Sequence, residues 1–412
     1  MVRKLINTKR PYFIESIILL IVYTFNWIGF GDYTSVILLL AFLVTLFFKD
    51  KRELIFSDKY ILILTILFTL SCIISSLFSI NKLNSTLISL LWFFVIFVPI
   101  SYVRFSLNSE NDFFIKYIIP VSFLMVFAIL LQLYFHFFYN LFTKGLIIKR
   151  YTAKFLGKAS TPDMLVMLGG IGYGWIRQKE SEKHKWYGFI FLLGCFFGSV
   201  LTFDRGGVVS FFILMIILLS FDYKRLIFLS IITIIAIYLT FKLSTLHRFE
   251  HLFDFLYSKR TQKSLTTAAQ IATFKGAWGM IKDHWFLGVG TNNFARHIKN
   301  YGVGKWYTYA HNFILQFWAE NGLFGMIFGL SIIGLTIYRW IKSWKQYKYK
   351  WIALGLGASF ICMLVGNLTN STIWILKVAL PFWLLAGSIN AIYFIVRNQK
   401  LQILQLKNKQ II

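Results

Sequence analysis

From Tyr12 to Val396 the chain is a succession of apolar runs separated by short charged connections, and no other feature constrains its fold as strongly. A helix that crosses the hydrocarbon core of a bilayer needs roughly 20 largely apolar residues. Lipid offers no partner to an open backbone group, so spans of this kind must be helical or closed barrels. The runs are Tyr12–Phe30, Tyr33–Phe48, Tyr60–Ile80, Ser85–Tyr102, Phe113–Phe137, Pro162–Ile176, Trp186–Leu201, Val208–Phe221, Leu226–Leu243, Leu323–Ile341, Trp351–Leu368 and Val378–Val396. They predict an all-α, polytopic membrane protein of about twelve transmembrane helices. Composition agrees. Of 412 residues, 58% are hydrophobic and only 14% charged, whereas soluble domains carry about 25% charged residues. Met1–Arg10 is basic and runs into the first apolar stretch without a small-residue cleavage site, so that stretch is expected to remain as a span.

A net charge of +27 raises the question of nucleic acid. The basic residues lie between apolar runs rather than on one soluble face, and no soluble module presents them, which excludes a nucleic-acid partner. Their distribution orients the chain instead. Lys49, Lys51 and Arg52 share one side with Arg177, Lys179, Lys183 and Lys185, with Lys224 and Arg225, and with Arg339, Lys342, Lys345, Lys348 and Lys350. The tail with Arg397, Lys400, Lys407 and Lys409 falls there too. Short basic loops mark the cytoplasmic side, so both termini are expected to be cytoplasmic. The expected organisation is membrane helices 1–9 over 1–243, an outer loop over 244–312, membrane helices 10–12 over 313–396 and a basic tail over 397–412.

The outer side carries basic charge that the orienting bias does not ask for. Thr143–Thr161 holds Lys144, Lys149, Arg150, Lys154 and Lys158, with no acid. The turn between spans seven and eight reads Asp204-Arg205-Gly206-Gly207. The long loop between spans nine and ten has its own helical periodicity. Leu246, Phe249, Leu252, Phe253 and Leu256 form an amphipathic segment, and a second helix is expected at about Thr266 to Lys282.

Three outer motifs suggest chemistry. A guanidinium such as Arg205 grips phosphate with two prongs, and glycines beside it let a head group approach the backbone; the plain alternative is a snorkelling Arg paired with Asp204. Gly288-Val289-Gly290 lacks the third glycine and the preceding strand of a dinucleotide fingerprint and reads as a tight turn. His311 stands where the loop re-enters the membrane, with Glu320 about two helical turns on. A histidine at the mouth of a membrane cavity suits proton transfer. His247-Arg248-Phe249-Glu250-His251 matches a zinc-protease pattern but lies in the amphipathic segment, with no third ligand in a supporting context. Cys72, Cys195 and Cys362 fall inside apolar runs and form neither a disulfide framework nor a metal cluster. No metal site is expected.

In this order the motifs resemble the O-antigen ligase and polymerase family. That family has an "S/T-x-R-G" outer turn, then a loop with "W-K-x-A … I-K-x-H-P-x-x-G-x-G-x-x-x-F" ending in "H-N-x-x-L-x-x-x-x-E-x-G-x-x-G". The matching stretches are Thr202 to Gly207, Phe274-Lys275-Gly276-Ala277 through Phe294, and His311-Asn312 through Gly325. Arg150 through Asp163 is similar to the family's sixth-span entrance, so the likeness covers roughly Arg150 to Gly387. Two departures stand out. Gln270 and Phe274 occupy positions where relatives carry Arg and Trp, and Trp285 replaces a Pro. If that Arg meets pyrophosphate in relatives, Lys275, Arg150 or another cation must do so here.

The resemblance implies a glycosyltransferase of lipopolysaccharide biosynthesis in the bacterial inner (plasma) membrane, with its site on the periplasmic face. It would move a glycan from undecaprenyl pyrophosphate to an acceptor sugar hydroxyl, with no cofactor. Arg205 would stabilise the leaving pyrophosphate and His311 would act as general base, while Arg150, Lys275, Asn312 and Glu320 would bind substrate. The preferred acceptor is lipid A–core. The alternative within the family is a polymerase of lipid-linked repeat units. A transporter of a lipid-linked or anionic solute is the reading from another class. It should place ionisable residues near mid-membrane, whereas these runs hold few and the candidates gather at one surface. The first test is topology. Reporters fused after Lys51, Lys183 and Lys348 should read cytoplasmic, and fusions near Lys154 and Lys299 periplasmic. A cytoplasmic reading at Lys299 would remove the catalytic scheme as well.

Overall fold

A computed structural model describes residues 15–18, 20–21, 31–107, 118–144, 160–202, 204–231, 265–303 and 308–410. Among them the chain is helical, with no strand. The principal helices are α1 (Gly31–Thr45), α2 (Lys59–Leu77), α3 (Lys82–Leu107), α4 (Ile119–Lys144), α5 (Ser160–Arg177) and α6 (Glu182–Leu201). They continue as α7 (Arg205–Leu219), α8 (Leu265–His284), α9 (Phe313–Ser343), α10 (Lys350–Gly366) and α11 (Leu376–Gln410). Six segments are long and apolar enough to cross a bilayer: Lys59–Leu77, Lys82–Arg104, Ile119–Thr143, Glu182–Leu201, Phe313–Gln346 and Val378–Leu406. Gly206–Leu219 and Lys350–Gly366 are shorter apolar helices. Most of the expected first span, most of the ninth, the basic stretch at 145–159 and the amphipathic segment with His247 and His251 lie outside the described residues.

Several boundaries differ from expectation: α4 runs on to Lys144, past Phe137, and α9 begins at Phe313, ahead of Leu323. The second run stops at Thr45 and gives way to a short helix, Lys49–Ile55. The last helix continues past Val396 to Gln410, through what the sequence suggested was a separate tail. From Ser388 to Gln410 the chain has neither Gly nor Pro, so nothing there breaks the helix.

Small residues let the helices approach closely. A Cβ on Gly170 of α5 would stand 2.8 Å from the Gly355 carbonyl of α10, and one on Gly174 would stand 2.5 Å from the Trp351 carbonyl. Ser359 of α10 donates to Met167 O at 2.9 Å. Helices that share one apolar solvent associate through such close packing and interhelical hydrogen bonds. The same rule acts between α3 and α11, where a Cβ on Gly387 would meet Ile100 Cα at 2.8 Å.

The hairpins sort the two ends of the bundle by chemistry. One end holds the ion pairs found among the described residues. Asp58, the N-cap of α2, accepts from Arg104 of α3 at 2.6 Å and from Arg339 of α9 at 2.5 Å. Arg339 also reaches Asn390 of α11 at 2.5 Å. Burial pushes the Asp58 carboxyl up, but the Arg339 hydrogen bond and the two guanidinium charges outweigh it and hold it below the ordinary range. At the same end Arg225 bridges Asp222 and Glu182, and Lys350 pairs with Glu180. These are the loops that the sequence marks as short and basic. The other end gathers the α2–α3 turn, the starts of α5, α7 and α9, the α10–α11 link and the segments 285–303 and 308–312.

Removing one partner of a buried ion pair leaves an uncompensated charge, which costs about 3–5 kcal/mol. Asp58→Asn keeps the helix cap but strands two buried arginines, so it should destabilise the bundle by about that amount. Lys350→Ala breaks a half-exposed pair and should cost at most about 1 kcal/mol. Melting midpoints of the purified variants in detergent would rank them, and equal midpoints would refute the latch.

Candidate active site

The loop is fastened to the bundle through its backbone. Val289 N donates to Ala319 O at 2.9 Å and Gly290 N to Glu320 O at 2.8 Å. Gly288 (φ +75) crosses a kink in α9 at Gly322 (φ +70, ψ −172). A Cβ on Gly288 would stand 2.5 Å from both Glu320 O and Gly322 N. Only glycine accepts both the left-handed backbone and so close an approach. The kink leaves Phe313–Asn321 as a short helix that ends where the Leu323 span begins.

Polar groups complete the seam. Ser75 of α2 donates to Glu320 O at 2.7 Å, and Ser85 of α3 to Thr291 O at 2.7 Å. Ser89 donates to the Thr291 hydroxyl at 2.8 Å, which donates in turn to Asn321 Oδ1 at 2.7 Å. On its other side the loop has a small core of its own. Ala277, Met280 and Ile281 of α8 pack with Val289, Phe294, Ile298, Val303, Ala310 and Ala319.

This seam delivers His311. Its backbone is left-handed, with φ 53, a conformation that costs a non-glycine residue on the order of 1–3 kcal/mol and clusters at functional sites. The next two residues hold it there. Asn312 caps α9, accepting from Ile314 N and Leu315 N at 3.0 Å, and its amide donates to Leu368 O at 3.0 Å. Phe313 N donates to Asn367 O at 3.0 Å. The imidazole then hydrogen-bonds the Asn370 side chain and lies within electrostatic reach of the Asp204 carboxylate. Burial pulls its pKa below the ordinary value, and it outweighs the opposing pull of Asp204 and Asn370. At neutral pH the ring is uncharged and can accept a proton.

Asp204 is also the N-cap of α7, accepting from Gly207 N at 3.2 Å. The two glycines after Arg205 bring that helix start against its neighbours. A Cβ on Gly206 would stand 2.6 Å from Thr369 Oγ1, and Gly207 lies against Pro162. Asp163, in the first turn of α5, faces Thr372 and Asp204. It is buried, and its Oδ2 has no hydrogen-bond partner. The α7 start and the α10–α11 link thus stand at His311, and the α5 start joins them through Asp163.

The residues singled out in the sequence divide as follows. Arg205 opens α7, directly after the aspartate that His311 faces. Asn312 spends its side chain on capping α9 and bridging to Leu368. Glu320 is buried, and its carboxylate accepts from Phe294 N at 3.0 Å, bracing the loop. Lys275 is exposed on α8, one turn beyond Gln270. Arg150 lies outside the described residues. The structure adds Asp163, Asp204, Asn370 and Thr372 to the neighbourhood of His311. The polar run Thr369-Asn370-Ser371-Thr372 between two apolar helices was the available signal for half of these. Among the described residues no three of His, Cys, Asp and Glu converge as metal ligands would.

Residues 188–330 match the family model described as O-Antigen ligase. The matched stretch runs from α6 through the loop to the α9 span, so it contains Asp204, Arg205, the Gly288–Gly290 turn, His311 and Glu320. No curated protein matches the chain.

The seam makes a specific demand at Gly288. Gly288→Ala should unseat the loop and abolish activity while the opposite, ion-paired end stays folded. Limited proteolysis would then cut within 285–312 and spare 339–350. A variant as resistant as the parent would show that the crossing tolerates a side chain.

Proposed function

We propose that this chain, which carries an O-antigen ligase family segment over 188–330, transfers a glycan from undecaprenyl pyrophosphate to a sugar hydroxyl. Lipid A–core is the proposed acceptor. About twelve spans would place the loop on the periplasmic face of a bacterial inner membrane and both termini in the cytoplasm. The observation that carries the reading is His311: half-buried, strained, and within electrostatic reach of Asp204, the residue that caps the helix beginning at Arg205.

The chemistry follows from what the bond change needs. As the acceptor oxygen attacks the anomeric carbon, the bond to pyrophosphate breaks and the hydroxyl proton must leave. Neutral His311 accepts that proton, and the Asp204 carboxylate stabilises the imidazolium that results. Charge grows on the departing pyrophosphate, where Arg205 and the backbone N–H groups of the α7 start offer positive potential. Arg150 and Lys275 are proposed to add fixed charge in place of the arginine that Gln270 lacks. Asn312 and Glu320 act by holding His311 and the loop in register. No metal is required in this scheme.

Purified protein, a lipid-linked glycan and an acceptor test it directly. His311→Ala should lower transfer by about 10²–10⁴-fold at matched expression, and Arg205→Lys should impair it severely because a point charge cannot replace a two-pronged contact. A base must be unprotonated to work, so with its pKa depressed the parent's rate should stay level through neutral pH. It should fall only below the ordinary imidazole value of about 6.5. Excess chelator should leave the rate unchanged. Near-parental transfer by His311→Ala would sink the base assignment, and magnesium-restored activity would sink the metal-free scheme. Product that remains lipid-linked and lengthens, rather than joining lipid A–core, would identify a polymerase.

A further inference from the structure

α8 presents two contrasting faces. Its buried face, Thr273, Gly276, Ala277, Met280 and Ile281, packs on the loop's own core. The opposite stripe, Ile271, Lys275, Trp278, Lys282 and then Trp285, is exposed throughout. Ile271, Trp278 and Trp285 are 46%, 47% and 52% accessible. Two lysines alternate with these three bulky apolar side chains at helical spacing, which is the pattern of a surface that lies on charged lipid.

The position of the stripe says what covers it. Phe324 and Ile327 are exposed on α9, a helix long and apolar enough to cross a bilayer, so their side chains face lipid. The Phe286 ring lies 5.3 Å from that of Phe324, edge to face. Leu323 N donates to Trp285 O at 3.0 Å, and Trp318 Nε1 donates to the same carbonyl at 2.9 Å. Trp278 packs on Trp318 with ring centroids 6.0 Å apart. The lipid-facing surface of α9 thus continues without a break through Phe286 and Trp285 onto the stripe of α8. That is the depth at which tryptophan collects, its body in hydrocarbon and its N–H toward water. Asp283, the acid beside the stripe, is engaged by the Tyr301 hydroxyl at 2.8 Å, leaving Lys282 to face outward.

We propose that this stripe rests on the lipid head groups of the leaflet at the loop end, with Trp278 and Trp285 in the interface and Lys282 on anionic phospholipid. The anchor fixes the height of the loop over the bilayer independently of the seam at Gly288. A soluble glycan stacking on the same tryptophans is the competing occupant.

The three native cysteines are buried, so a maleimide dye will report single introduced cysteines in the full chain. Trp278→Cys and, as a second position, Ile271→Cys would be labelled with an environment-sensitive dye and placed in nanodiscs. Asn300→Cys, exposed elsewhere on the loop, serves as the reference. Lipids bearing a nitroxide near the head group should quench the dye at 278 and 271 and leave it at 300, whereas aqueous iodide should do the reverse. Lys282→Glu should reduce quenching at 278 in phosphatidylglycerol-rich discs and leave it unchanged in phosphatidylcholine discs. Iodide quenching at 278 and 271 equal to that at 300 would overturn the proposal. So would protection of these positions by soluble oligosaccharide in detergent, which would assign the face to glycan. Equal Lys282→Glu effects in both lipids would overturn the anionic contact. The outcome does not depend on turnover, so it stands or falls separately from the proposed reaction.

Discussion

Everything at the loop end depends on two glycines passing each other without side chains. A loop of polar backbone cannot be glued to a lipid-embedded bundle by apolar burial alone, because its own N–H and C=O groups need partners. The crossing of Gly288 with Gly322 solves this by opening α9. The kink withdraws the Ala319 and Glu320 carbonyls from the helix ladder and offers them to Val289 and Gly290. The freed helix segment, Phe313–Asn321, then points its capped start at the α10–α11 link, and His311 stands immediately before that cap. A methyl group at either glycine would force the two backbones apart.

The two ends of the bundle solve opposite electrostatic problems. At the basic end each described arginine or lysine in an ion pair has its acid, and Asp58 neutralises two guanidinium groups at once while capping a helix. Fixed pairs resist movement and bind nothing further. At the loop end the balance is inverted. Asp163 and Asp204 stand near one another, and the bonds that hold the loop run between hydroxyls, amides and backbone. The seam at the loop end therefore rests on neutral hydrogen bonds, where the opposite end rests on ion pairs.

This contrast also explains what could be read in the sequence. Apolar run length located the helices from 33 to 221 and from 323 to 396, because bilayer thickness imposes one length on each. Charge between the runs located the ion-paired end. Motif order marked out the stretch from Thr202 to Gly325, which falls within the family match over 188–330. What the one-dimensional pattern missed is what depends on convergence. Asp163, Asp204, Asn370 and His311 come from segments far apart in sequence, and nothing in periodicity says that the α5 start faces the α10–α11 link. Glu320 also owes its surroundings to convergence. Its spacing from His311 suggested a shared site, yet the kink at Gly322 turns its carboxylate onto Phe294 N beneath the loop. The helical tail beyond Val396 was legible in principle, since the absence of Gly and Pro was on the page.

The proposed reaction makes two demands that pull His311 in opposite directions. A general base must be neutral before reaction, which favours burial, and must tolerate charge afterwards, which favours a nearby carboxylate. A ring in water beside Asp204 would be protonated too readily; a ring buried alone could not hold the proton it takes. Here burial prevails in the resting state, and Asp204 waits beside the ring for the charge to form. The left-handed backbone of His311 is the mechanical cost of keeping the ring in that position, on the order of 1–3 kcal/mol, and the Asn312 cap with the Asn367 carbonyl offsets it. Asp204 also caps the helix that begins with Arg205. In the proposed reaction one carboxylate would therefore set the spacing between the group that takes the proton and the helix start offered to the leaving pyrophosphate.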